Sequence, residues 1–380
     1  MSQTHIDQIF SPELLKEMIA AKYVRAVRHP EFPLTLYSYS ETAQYERVWN
    51  DCTRNCRGLI VDDAGHVIAR PFPKFFNMDE PDAPKFEMDD WVEVSDKRDG
   101  SLGILYFWDD RPYIATRGAF MSQQARHATE VFHKKFGEEW RKWDRANTEL
   151  FEIIYPENRI VLDYGDMDDL VSLGSVNIAT GATADFPEGT MQQTMAEVLK
   201  LPPRPNAEGL VVRIVRTDQR LKIKQDDYKA LHRIITTCSA RSLWEHLAVN
   251  AILAETPDLP LTMLSKKVKI GEERAKQIVA AGPDWQESIF GAGGMPENFA
   301  RWVRRRTYEI TADVERRTFI AACDFRSLEN IAHDRKQFAL AAQKCESKAA
   351  LFRMLDGKTA TEIHWLDAYP GHEIPFAEVG

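Results

Sequence analysis

Up to about residue 235 the apolar positions come in short runs rich in β-branched and aromatic residues. The runs are Gly58–Asp62, Trp91–Ser95, Leu102–Trp108, Leu150–Tyr155, Ile160–Tyr164, Gly209–Val215 and Leu221–Lys224. Their length and composition predict strands. Turn-forming residues separate them: Asp63-Ala64-Gly65, Asp109-Asp110-Arg111-Pro112 and Pro156-Glu157-Asn158. Ahead of them, Ser11 to Ala26 has helical spacing, with Ser11 as N-cap, Pro12 at the first helical position and Glu13 in the first turn. The strands do not alternate regularly with helices, which predicts an antiparallel α+β domain rather than a doubly wound parallel sheet.

Beyond residue 235 the pattern changes. Ala, Glu, Lys, Arg and Leu dominate, and Phe299, Trp302, Val303, Ile310 and Val314 fit one helix face. Breakers fall at Glu255–Asp258, Gly282-Pro283 and Gly291-Ala292-Gly293-Gly294. The expectation is a mixed domain over residues 1–240 and an all-helical one over 241–380.

Composition narrows the class. Hydrophobic residues make up 44% and charged residues 28% of the 380, values of an ordinary soluble globular protein. No apolar run reaches the ~18 residues that would cross a membrane. Met1 to Phe10 shows no secretory signal, so a cytoplasmic protein without a membrane partner is expected. Five cysteines suit a reducing compartment; Cys52 and Cys56 lack the second pair of a structural zinc site. The net charge of −9 argues against a chain-wide basic coat for nucleic acid, but leaves room for a local basic groove.

The chemistry centres on Lys97-Arg98-Asp99-Gly100-Ser101, between two of the predicted strands. Alone, this K-x-D-G is a weak signal that fits a polar hairpin turn. Further along, Leu221-Lys222-Ile223-Lys224 alternates apolar and basic residues. As a strand it projects Lys222 and Lys224 from one face, a pairing of like charges that suits an anion such as a triphosphate. Glu152 stands inside an apolar strand and Glu208 opens another, where carboxylates are costly unless hydrogen-bonded or paired. Arg57-Gly58, Lys74-Phe75-Phe76-Asn77 and Thr116-Arg117-Gly118 add basic residues at strand ends.

Together these elements resemble, in order, the covalent nucleotidyltransferase superfamily of ATP-dependent ligases and capping enzymes. Lys74–Asn77, Phe151-Glu152 leading into Pro156–Leu162, and Leu221–Lys224 followed by Tyr228 and Leu231-His232 are similar to the phage T4 RNA ligase 1 family. The resemblance covers roughly residues 35–235. It implies a ligase adenylation domain over 1–240, with the helical 241–380 contributing to RNA specificity. It also implies an ATP-dependent RNA ligase, acting as a monomer and using Mg²⁺ or Mn²⁺, that joins 5′-phosphate and 3′-hydroxyl RNA ends, with cleaved tRNA a suggested substrate.

The implied roles follow residue by residue. Lys97 is the nucleophile that becomes lysyl-AMP, and Gly100 permits close approach of the nucleotide. Glu152 holds the ribose, while Glu208 bears on the metal or on Lys97. Lys222 and Lys224 contact the α-phosphate. Arg57, Lys74 and Arg117 contact phosphates or ribose, and Phe76 packs near the nucleotide. Arg117 stands where the phage enzyme has lysine, so a planar fork replaces a point charge. A nucleophilic lysine must be neutral, yet only about one in a thousand is at pH ~7.4 with an ordinary pKa. Surrounding cations would help. Rival readings are a nick-sealing ligase, a capping-type guanylyltransferase, or a non-catalytic RNA-binding protein of the same fold. Arg301, Arg304, Arg305, Arg306, Arg316 and Arg317 read either as an RNA-contacting surface or as a solvated helix face paired with Glu309, Asp313 and Glu315.

Overall fold

The Ser11 hydroxyl accepts the Leu14 N–H at 3.2 Å, and Pro12 opens a helix. That helix ends at Ala20 rather than Ala26. Lys22 turns the chain with φ 62°, and Val24–Arg28 pairs with a neighbouring strand instead. Cross-strand pairing here overrides the helical spacing of the sequence. The computed structural model describes residues 3–158, 160–162, 164–204, 206–286, 297–371 and 373–375. The Gly291–Gly294 breaker and Arg159 lie outside them. The chain divides into two compact units, Met1–Lys229 and Ala230–Gly380.

The first unit is α+β, with its strands in three sheets. The first sheet has β1 (Val24–Arg28), β2 (Leu34–Tyr39), β3 (Arg57–Asp62) and β4 (Val67–Ala69), in that spatial order. The remaining strands are β5 (Phe76–Asn77), β6 (Trp91–Lys97), β7 (Ser101–Trp108), β8 (Arg111–Thr116), β9 (Asn147–Ile154), β10 (Asp169–Asn177), β11 (Thr183–Asp185), β12 (Met191–Thr194), β13 (Gly209–Ile214) and β14 (Gln219–Lys224). They form sheets of order β11-β10-β9-β7-β8 and β12-β6-β13-β14-β5. All pairings are antiparallel except that of β14 with β5. The turn between β7 and β8 is Asp109-Asp110, both at positive φ, the geometry that suits the twist of a two-residue hairpin.

Two predictions change here. β6 and β7 do not pair: they belong to different sheets, so Arg98-Asp99-Gly100 crosses between sheets rather than closing a hairpin. The Ile160–Tyr164 run is not a strand among its described residues. Instead, the Val161 and Leu162 N–H groups both donate to Asp99 Oδ2 at 2.8 Å.

Separate apolar clusters support the two larger sheets. Val92, Val94, Val212, Ile214 and Leu221 pack with Met195 and Val198 of a short helix. Leu105, Ile114, Phe151 and Ile153 pack against Ala128 and Phe132 of the helix Gln123–Phe136. The second unit is helical among its described residues, with helices including Ala240–Glu255, Leu261–Val268, Glu272–Ala281 and Glu297–Leu328. Phe299, Val303 and Ile310 are buried along the last of these, as their spacing requires.

Phe132 is fully buried and lies edge-on to Trp143 and Phe151. Phe132→Ala should therefore lower stability by roughly 3–5 kcal/mol, measured as a reduced urea midpoint. A change below roughly 1 kcal/mol would show that the helix is not anchored through this ring.

Candidate active site

Strand register assembles residues that are far apart in sequence. β13 lies between β6 and β14, and Gly209 at its start is opposite Lys97 on one side and Lys224 on the other. Glu208, just ahead, therefore meets both amines: Lys97 Nζ at 2.7 Å from Oε2 and Lys224 Nζ at 2.9 Å from Oε1. Glu208 is 1% exposed. Gly209 sits at φ 148°, and a Cβ there would stand 2.0 Å from the Ile223 carbonyl oxygen. Glycine is what lets β13 and β14 close at this level.

The sheet-crossing turn is held by its own aspartate. Asp99, 5% exposed, accepts the Val161 and Leu162 N–H groups and the Tyr228 hydroxyl at 2.8 Å, while its own N–H donates to the Tyr164 hydroxyl at 2.9 Å. Tyr228, one of the residues that carry the resemblance read from sequence, thus bonds to the turn; burial and the Asp99 charge push its phenol up. Gly100 N–H donates to Glu152 Oε1 at 2.9 Å. A Cβ on Gly100 would stand 2.5 Å from the Ile153 carbonyl oxygen, so the close approach to β9 by itself excludes a side chain, and Gly100 also lines the cavity of Lys97.

Cations line the other side. Lys222 shares a face with Lys224 but has no ion pair among the described residues; its ammonium lies 4.8 Å from the Phe75 ring centre. Burial, then Lys74, Arg57, Lys97 and Lys224, push its pKa well down. Arg57 lies 5.4 Å over Phe75 and donates to the Phe72 carbonyl at 3.4 Å. Arg117 lies 4.7 Å over Tyr39, and Lys74 lies among aromatic rings. Burial, chiefly, lowers the pKa of both Arg57 and Lys74. Arg57, Lys74, Arg117 and Lys222 all lack a carboxylate at ion-pair distance among the described residues. Phe76 is buried against Trp49 at 5.4 Å, inside this cluster rather than on a cavity with Lys97.

A cavity of about 210 Å³ is bounded by Lys97, Gly100, Glu152, Arg57 and Lys222, with Leu102 and Val211 as apolar walls. Sequence reasoning missed Tyr39, Trp49, Arg213 and Arg220. Arg213 donates to Glu93 Oε2 at 2.7 Å, and Arg220, lining the cavity, lies 3.8 Å over Phe72; burial lowers the Arg220 pKa to about 10. No local pattern distinguishes these residues from surface arginines and core aromatics. In the second unit, Arg306 pairs with Glu309 and Glu373, Arg316 with Asp313 and Glu346, and Arg317 with Asp313. These three arginines follow the paired-face reading.

The first unit is thus an α+β domain of mainly antiparallel sheets, and the second is helical among its described residues. The sequence model of the RNA ligase family matches residues 55–202. A candidate RNA ligase of Thermovibrio ammonificans is 24% identical over 163 residues, which cover 41% of this chain and 42% of that protein; the match thus spans less than half of the relative. Among solved structures, an archaeal ATP-dependent RNA ligase aligns with TM-score 0.42 and 12% identity over 80% of this chain and 77% of its own. A candidate ATP-dependent DNA ligase from Aquifex aeolicus aligns at 0.41 and 16%, over 80% and 79%. A Naegleria gruberi RNA ligase, solved with ATP and Mn, aligns at 0.31 and 16%, over 38% and 52%.

Burial raises the Glu152 carboxyl from 4.5 to about 7, against the opposing effects of Lys97 and the Gly100 N–H. The folded protein therefore binds this proton more tightly than the unfolded chain. The stability so gained is full below 4.5 and is lost as pH rises through about 7. Glu152→Gln mimics the protonated form. It should match wild-type stability near pH 4.5 and exceed it at pH 8 by at most roughly 3 kcal/mol. Urea titrations at the two pH values check this; a pH-independent difference would contradict it.

Proposed function

We propose that the protein is an ATP-dependent RNA ligase that joins 5′-phosphate to 3′-hydroxyl ends, in RNA repair, through a lysyl-AMP intermediate. One observation carries the reading. A lysine held by a buried carboxylate, Lys97 on Glu208, faces a cavity shared with Arg57 and Lys222, which have no carboxylate at ion-pair distance among the described residues. Buried like charges without counter-charge are costly, and a nucleotide's phosphates supply the missing charge. The match of residues 55–202 to the RNA ligase family model supports the same reading.

The residues divide the work. Lys97 Nζ attacks the α-phosphorus of ATP. A P–N bond forms, the α–β bridging P–O bond breaks, and pyrophosphate leaves with the electron pair. Glu208 Oε2, 2.7 Å from Nζ, accepts the proton that the amine gives up. Lys224, on the other oxygen of Glu208, keeps the carboxylate oriented and adds positive charge at the α-phosphate, together with Lys222. Glu152, against the Gly100 N–H, faces the ribose. The RNA 5′-phosphate then takes the AMP as the P–N bond breaks and Lys97 regains its proton. A 3′-hydroxyl attacks the adenylylated end, forms the phosphodiester and expels AMP. In-line displacements of this kind depend on positioning and charge neutralisation.

A divalent cation, Mg²⁺ or Mn²⁺, would add Lewis acidity at the phosphates. Among the described residues no group of three acids, histidines or cysteines could hold one, and both Glu208 oxygens are engaged by lysines. The residues fit a cation carried on the nucleotide's own phosphates, with Glu152 and Glu208 as the carboxylates at hand.

Lys97→Ala should abolish the covalent adduct formed with α-labelled ATP. Lys224→Ala should lower its rate by about 100-fold with an unchanged circular dichroism spectrum. A labelled adduct in Lys97→Ala, or near-normal labelling in Lys224→Ala, contradicts the assignment. With the wild type, 5′-phosphorylated single-stranded RNA and a cleaved tRNA should be joined faster than a nicked duplex. Labelling by GTP rather than ATP would favour a capping activity.

A further inference from the structure

Lys74 is held without a carboxylate at ion-pair distance among the described residues. Its ammonium lies 5.2 Å from the Phe76 ring centre, 5.3 Å from Trp49 and 5.6 Å from Tyr39. The rings brace one another edge-on: Tyr39 against Trp49 at 5.2 Å and 85°, Trp49 against Phe76 at 5.4 Å and 70°. Tyr39 and Phe76 are buried and Trp49 is partly buried. Tyr39 also carries Arg117, 4.7 Å over its ring. Burial raises the Tyr39 phenol, but the charges of Arg117, Lys74 and Arg57 outweigh it and lower the pKa. A carboxylate partner would cancel the charge of Lys74. Ring quadrupoles fix a cation in place and leave its charge to act on an anion.

The position of Lys74 indicates which anion. The charges acting on Lys222 are those of Lys74, Arg57, Lys97 and Lys224. Those acting on Lys74 include Tyr39, Glu80, Arg57 and Arg117. Lys74 and Lys222 thus belong to one cluster of cations, of which Arg57 and Lys222 line the cavity of Lys97. Lys74 and Phe76 line a second cavity of about 550 Å³, which shares Phe72, Phe75 and Arg220 with the cavity of Lys97. An in-line attack sends the leaving group away from the attacking nitrogen. We infer that Tyr39 and Trp49 are positioning residues that hold Lys74, charged and uncompensated, on the departing pyrophosphate. This rests on the ligase reading above.

The test separates the pyrophosphate step from the others. Tyr39→Leu and Trp49→Leu should slow enzyme–AMP formation at least tenfold, and slow its reversal by inorganic pyrophosphate equally. Sealing of a chemically pre-adenylylated RNA strand, which involves no pyrophosphate, should stay within twofold. Tyr39→Phe, which keeps the ring, should form the adduct within threefold of wild type. Wild-type adduct rates in the Leu variants, or an equal loss of sealing, overturn the inference. Where a Leu variant fails to fold, fluorinated tryptophan at position 49 keeps the shape and weakens the ring's attraction for the ammonium. Adduct formation should then fall stepwise with fluorine number, and a flat series overturns the inference. A wild-type protein that forms no adduct overturns the ligase reading instead. Calorimetry with inorganic pyrophosphate then decides the cage: weakened binding in Trp49→Leu supports it, and undiminished binding contradicts it.

Discussion

One buried carboxylate determines how the site is built. Glu208 is removed from water, and its two oxygens are each held by an ammonium, Lys97 on β6 and Lys224 on β14. Removing a single partner from such a group leaves an uncompensated buried charge, at a cost of roughly 3–5 kcal/mol. The carboxylate therefore fixes the register of three strands and the direction of two lysines. Gly209 makes this possible, since any side chain there would collide with the Ile223 carbonyl.

The rest of the site follows from where positive charge is, and is not, balanced. Near Lys97 the charges are paired. Around Arg57, Lys74, Arg117 and Lys222 no carboxylate stands at ion-pair distance among the described residues, and aromatic faces stand where acids would be expected. Such a region is electrostatically incomplete by itself. Under the proposed function, polyphosphate would complete it, and departure as pyrophosphate would restore the imbalance that the next nucleotide relieves.

Much of this was legible in the sequence, for definite reasons. Lys97, Glu152, Glu208, Lys222 and Lys224 stand out because charge inside apolar strands needs a partner. The strands themselves show in short β-branched runs, and the change of texture near residue 235 separates the helical part. Other features leave no local trace. Tyr39 and Trp49 look like ordinary core aromatics until the N–H of Tyr39 donates to the Cys56 carbonyl at 2.6 Å and brings β2 beside Arg57. Asp99 reads as part of a turn, and only the fold reveals that it gathers two N–H groups from 62 and 63 residues away. Ile160–Tyr164 is apolar enough for a strand, but the Val161 and Leu162 N–H groups are committed to that aspartate.

The central claim is that one amine, placed by Glu208, becomes covalently joined to a nucleotide. Tandem mass spectrometry of peptides from the wild-type protein, after exposure to ATP and a divalent cation, tests it most directly. The account predicts AMP on Lys97 alone. AMP on Lys222, Lys224 or any other residue, or none at all, would contradict it.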